Sequence, residues 1–152
     1  MIDKIVSGGQ TGVDRAALDV AIGLNIPHGG WCPKGRLAED GSLSDRYHLK
    51  ETQTSDYSER TKLNIQDSDA TLVLVPALPL NIQDGTVLTI EELKAKAKPH
   101  LIIDLSQKPD QALVLKWIKE HHIKTLNVAG PRESTSPGIY QKASEILNHI
   151  FA

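Results

Sequence analysis

The sequence contains a single cysteine, Cys32. One thiol excludes an intrachain disulfide and any multi-cysteine metal cage. As a nucleophile it would need a histidine beside it in space, and its simpler reading is a partly buried small apolar residue. The six histidines lack the helix-face spacing of a metal motif, so no tightly bound metal is expected. Long apolar runs are also missing. The first residues, Met1-Ile2-Asp3-Lys4, pass straight into a strand pattern without the apolar core of a signal peptide, and no run reaches membrane-spanning length. Positive charge is not in excess either: 17 Lys and Arg stand against 19 Asp and Glu, for a formal net charge of -2. That excludes the global basic field that collects nucleic acid, though it leaves room for a local anion site. A cytoplasmic protein with neither a membrane nor a nucleic-acid partner is expected.

The 152 residues, 39% hydrophobic and 24% charged, suit one soluble globular domain spanning 1–152. Its organising stretch is Ser7 to Arg15. The apolar run from Ile2 to Val6 predicts a strand, and Val13, Ala16, Ala17, Val20, Ala21 and Leu24 carry the period of a helix. The glycine-rich turn between them supports two readings. Gly8, Gly9, Gln10 and Gly12 can bring backbone N–H groups and the positive end of a helix dipole to an anion. Equally, Thr11 and Asp14 have the spacing of a capping box, which needs no ligand.

Further along, Gly29 to Pro33 reads as a short strand or tight turn, and Lys34-Gly35-Arg36 sets two cations around a glycine. They can hold a phosphate or simply be solvated. Residues 42–55 read as a loop with one short strand near His48 to Glu51. A helix starts at Ser55 or Asp56, with Arg60 and Asn64 four apart on one face. Ala70 to Val75 is the clearest strand, its continuous apolar run demanding burial on both sides. An irregular loop over 77–83 leads to Asp84-Gly85-Thr86 and a helix through Lys96. A strand over Pro99 to Leu105 precedes a helix from about Pro109 to His122, with Leu113, Val114, Trp117, Ile118 and His121 on one face. The last strand, Lys124 to Val128, runs into Gly130-Pro131-Arg132-Glu133-Ser134 and a final helix announced by Ser136 and Pro137.

Strands alternating with helices predict an α/β fold with a mostly parallel sheet covered on both faces. In such sheets ligands bind outside the carboxyl ends of the strands, and all three glycine-bearing junctions follow a strand.

Together, Gly8 to Ala17, Gly30 to Arg36, Tyr57 to Thr61, Asn64 with Asp67-Ser68-Asp69, Gly85-Thr86 and Gly130 to Ser134 resemble the putative molybdenum carrier family. That family is also described as a circularly permuted branch of the YpsA-like proteins, within the group that includes lysine-decarboxylase-like nucleotide proteins. The resemblance implies a Rossmann-like three-layer sandwich, a homo-oligomer (dimer or tetramer), and a pocket for a phosphorylated small molecule, either a nucleotide or the molybdenum cofactor, molybdopterin. On that reading the amides of Gly9 to Gly12 and of Gly85 and Thr86 hold oxyanions, while Arg15, Lys34, Arg36, Arg60 and Arg132 neutralise charge. Asn64, Gly130, Glu133 and Ser134 complete the site. The alternative is a hydrolase cleaving an N-glycosidic or phosphate bond, with Asp14, Asp84 or Glu133 as acid or base. Relatives that cleave nucleoside monophosphates carry Pro-Gly-Gly-x-Gly-Thr-x-x-Glu. Here the stretch Asn81 to Glu91 keeps Gly85-Thr86 but has no glutamate three residues later.

Overall fold

The computed structural model describes residues 2–81 and 83–152; Met1, in the expected amino-terminal entry, and Ile82, in the loop over 77–83, lie outside that description. Five strands form the central sheet: β1 (Lys4–Val6), β2 (His28–Gly29), β7 (Ala70–Val75), β8 (His100–Asp104) and β9 (Thr125–Ala129). Their order is β2-β1-β9-β7-β8, and every pairing is parallel. Five helices connect or follow them: α1 (Val13–Gly23), α2 (Tyr57–Gln66), α3 (Gly85–Lys96), α4 (Gln111–Glu120) and α5 (Ile139–Phe151). The expected Rossmann-like sandwich is the fold.

The apolar run of β7 explains the layering. Ala70, Leu72 and Leu74 point into one core, with Ala17 of α1, Trp117 of α4 and Leu147 of α5, while Val73 and Val75 point into a second, with Ile65 of α2 and Leu93 of α3. Each fully buried aliphatic side chain contributes about 1.5–3 kcal/mol, so a strand buried on both faces anchors both helical layers. Because all five strands run the same way, their carboxyl ends, and the loops that follow them, share one edge.

Two local expectations are corrected and one is extended. Helix α4 begins at Gln111 rather than near Pro109, because the Asp110 carboxylate accepts the Leu113 N–H at 3.1 Å and caps it there. Leu113 is 48% exposed and leaves the apolar stripe that Val114, Trp117 and Ile118 keep. Between β2 and α2 the expected short strands near Trp31 and near Lys50 form, and a hairpin not expected from the sequence is added. β3 (Trp31–Cys32) pairs in parallel with β6 (Lys50–Glu51), and β4 (Leu37–Ala38) forms an antiparallel hairpin with β5 (Gly41–Ser42). This excursion lays Cys32, Ala38, Leu43 and Tyr47 against Leu18 of α1. Cys32 is buried, and burial raises its thiol above the ordinary value, as suits a packing residue.

Candidate functional site

The three glycine-bearing junctions meet at the carboxyl edge of the sheet. Gly12 opens α1 at φ +82°, and a Cβ on it would lie 2.3 Å from the Pro131 carbonyl oxygen, so the first junction rests directly on the third. The Val13 N–H donates to that same oxygen at 3.2 Å. Gly130 is equally confined: a Cβ there would meet the Leu74 carbonyl oxygen at 2.4 Å. These contacts draw the loops after β1, β7 and β9 around a narrow cleft open to solvent.

Eight of the expected residues line the cleft: Gly8, Gln10, Asp14, Arg60, Asn64, Gly85, Gly130 and Arg132. Arg60, on α2, is the central cation. It is 7% exposed, packs over Gly8, donates from Nη1 to the Gly8 carbonyl at 3.1 Å, and lies near enough to Asp14 for its charge to lower that carboxyl. A Cβ on Gly8 would come within 2.5 Å of the Arg60 Cδ, so the glycine makes room for the arginine. The Arg60 and Arg132 guanidinium groups both lie over the Tyr57 ring, 5.0 and 5.4 Å from its centre. Two cations from different elements are thus gathered on one aromatic plate. Asn64 lines the wall but spends its amide on the Trp31 backbone, accepting from N at 2.7 Å and donating to O at 3.0 Å.

Gln10 and Asp84 tie the loops together. Gln10 Oε1 accepts the N–H groups of Thr11 and Glu39, at 3.0 and 2.8 Å, leaving its buried Nε2 with no partner among the described residues. The Asp84 carboxylate caps α3 by accepting the Thr86 N–H at 2.9 Å and reaches across to the Arg132 N–H at 3.3 Å. Gly85 faces open space, and the buried Thr86 Oγ1 beside it also has no partner among the described residues.

The other expected residues serve the frame. Gly9 (φ +78°) packs on Leu43 and Leu49. Arg15 is bound to the Gly9 carbonyl and, through both terminal nitrogens, to Asp40 at 3.0 Å. Arg36 donates to the Ser44 and Tyr47 carbonyls at 2.9 and 2.7 Å, and Lys34 is exposed away from the cleft. Glu133 accepts the Gly138 and Tyr140 N–H groups at the start of α5, and Ser134 bonds Glu39. The capping box does not form, since α1 has no side-chain cap. Thr11 instead donates to Glu39 and accepts the Glu133 N–H at 3.1 Å, and Asp14 turns into the cleft. Sequence reasoning left Thr61, Thr89 and Asn127 out of the site. Asn127 had one available signal, a lone amide in the apolar run of β9; it is buried and donates to Thr71 Oγ1 at 3.2 Å.

The profile of the "Circularly permutated YpsA SLOG family" matches residues 5–151. The chain belongs to that family. It is similar over 99% of its length, at 47% identity and a TM-score of 0.93, to the crystal structure of a protein from Syntrophus aciditrophicus SB named putative molybdenum carrier protein, 96% of which is covered. No curated protein matches.

In this member of the permuted YpsA SLOG family the charge balance of the cleft is uneven. Burial pushes the Asp14 carboxyl up to about 6, against the opposing pull of Arg60 and the Gln10 N–H, and Asp84 adds to the rise. Between its ordinary value of 3.8 and about 6, the folded protein holds a proton that the unfolded chain has released. The stability contributed by this group therefore falls as pH rises through that window, by roughly 3 kcal/mol in all. Asp14→Asn is expected to remove this decline from urea-unfolding free energies measured between about pH 4 and pH 7. A variant with the wild-type profile would show that Asp14 ionises normally.

Proposed function

We propose that the cleft binds a phosphorylated nucleotide-like or pterin-like small molecule, and that the protein serves as a carrier, with molybdenum cofactor among the pterin candidates. One observation carries this reading: Arg60 and Arg132 converge at the carboxyl edge of a parallel sheet, beside the open start of α3 at Gly85 and the unpartnered Gln10 Nε2. Guanidinium groups, a helix-start amide and a side-chain amide suit the oxygens of a phosphate. The name of the Syntrophus relative supports a molybdenum-bearing cargo.

The donor set also bears on how such a cargo would be held. Among the described residues no three His, Cys, Asp or Glu side chains are grouped as metal ligands. Arg60, Arg132, Gln10 and the Gly85 amide would instead grip the phosphate of the cofactor, whose own organic ligands supply the metal coordination. No helix among the described residues is long and apolar enough to cross a membrane; a cytoplasmic location belongs to the same proposal, as suits a carrier of a small-molecule cofactor. A homo-oligomer is supported by the exposed Leu115 beside an apolar groove at the opposite end of the sheet.

Equilibrium dialysis of the purified protein against molybdopterin, AMP, GMP and other nucleoside phosphates tests the reading. Micromolar binding of at least one is expected, and a folded protein that takes up none would overturn it. The second reading, cleavage of an N-glycosidic or phosphate bond, is favoured by the protonatable Asp14 facing the cleft near Asp84, a pair suited to acid and base roles. Glu133 is withdrawn from that role by its contacts at the start of α5. Release of free base or inorganic phosphate from the same panel would move the assignment from carrying to cutting.

A further inference from the structure

We infer that the Glu39 carboxylate fills a second phosphoryl subsite at the mouth of the cleft, and that a ligand bearing a diphosphate displaces it. Glu39 stands at the tip of the β4–β5 hairpin and reaches across to both the first and third junctions. Its carboxylate accepts hydrogen bonds from the Thr11 hydroxyl, the Ser134 hydroxyl and the Ser134 N–H, the last at 3.2 Å. Arg132 stands near enough to act on its charge. Two hydroxyls and one backbone amide, with a guanidinium in the neighbourhood, form the kind of donor set that holds a phosphoryl group. Here a side chain of the same protein occupies it.

Two features suit Glu39 to leaving as well as staying. Its residue is exposed, so moving the carboxylate into water carries little desolvation cost. The hairpin that carries it has strands of two residues each, too short to be stable by pairing alone. Besides the packing of Ala38 on Leu18, its ties beyond the hairpin include the Glu39 N–H to Gln10 Oε1, at 2.8 Å, and Asp40 to Arg15. The carboxyl itself is held as an anion. Burial would raise it, but the bonds from Ser134 and Thr11 together with Arg132 bring it below the ordinary carboxylate range. A doubly charged phosphoryl group would use the same donors more fully.

The subsite adjoins the proposed ligand cleft through two shared neighbours, and the inference rests on that reading. Arg132 lines the cleft and is near enough to Glu39 to act on its charge, and Gln10, which also lines the cleft, accepts the Glu39 N–H on its Oε1. A first phosphoryl group between Arg60 and Gly85 and a second at Thr11 and Ser134 would share Arg132 between them. The ligand class is therefore narrowed to nucleotides or pterins carrying a diphosphate, and Glu39 acts as a latch that a monophosphate leaves closed.

Calorimetric titration of the wild type, Glu39→Ala and Glu39→Gln with AMP, ADP and inorganic pyrophosphate tests this, with thermal melts to confirm folding. In Glu39→Ala, ADP and pyrophosphate are expected to bind about tenfold more tightly than in the wild type, a larger gain than for AMP. Glu39→Gln, which keeps the shape but not the charge, should show a smaller gain in the same order, and it serves if the alanine variant does not fold. Unchanged or weaker pyrophosphate binding in a folded variant would overturn the subsite. A pyrophosphate gain with no AMP or ADP binding would leave the subsite standing while removing adenine nucleotides as occupants of the cleft. Loss of all binding in all three proteins would remove both proposals.

Discussion

Arg60→Ala is expected to weaken binding of any phosphorylated ligand by about 100-fold, the equivalent of a lost charged hydrogen bond. The substitution removes more than a charge. Arg60 holds down the pKa of the buried Asp14 by its charge, fills the space over Gly8 and shares the Tyr57 ring with Arg132. Without it, the Asp14 carboxyl loses its principal opposing cation and its pKa rises further above 6. Stability should fall as well, by about 3 kcal/mol, because the Gly8 carbonyl loses its donor and a cavity opens over Gly8. Arg60→Lys separates the two effects: it restores the charge and much of the packing, but a single ammonium cannot both reach the Gly8 carbonyl and present a planar fork to a phosphate. Ligand affinity measured alongside urea unfolding for the pair will show whether Arg60 holds ligand, since equal affinities in wild type and alanine variant would leave it a purely structural residue.

The largest loss of stability is expected from Gly12→Ala. The residue combines φ +82° with ψ -130°, a conformation that L side chains strongly avoid, and its Cβ would lie 2.3 Å from the Pro131 oxygen and 2.9 Å from Glu133 N. Those neighbours are backbone, so neither can turn aside. Strain and overlap together should cost more than about 3 kcal/mol and part the first junction from the third. A urea midpoint within experimental error of wild type would mean that the two loops slide apart freely.

These two residues also mark how far the sequence could be read. Ala70 to Val75 declared its strand and its two-sided burial, because a run of apolar residues has few alternatives, and the edge occupied by the three glycine junctions followed from strand direction. The fate of individual polar side chains did not. Thr11 and Asp14 had the spacing of a capping box, yet partners 28 and 122 residues away decided the use of Thr11. Arg36 has the chemistry of a phosphate ligand, but its Nη2 is turned to the carbonyls at positions 44 and 47, which its sequence spacing does not show. Arg60 and Asn64 were correctly paired on a helix face, while their division of labour, one near the buried carboxylate and one on the Trp31 backbone, depended on segments the helix meets only in the fold. Local periodicity specifies elements; hydrogen-bond partners across the chain specify roles.

The strand order has a consequence for how the protein is made. β9 is inserted between β1 and β7, pairing with residues about 120 positions earlier on one side and about 55 on the other. Until residues 125–129 arrive, β1 with β2 and β7 with β8 can form only two separate parallel pairs, each with an open edge. Closing loops of this length before any contact rewards them makes the topology slow to fold. The nascent chain therefore carries unpaired strand edges through most of its synthesis, and the last sheet strand to leave the ribosome is the one that joins the halves and completes the cleft.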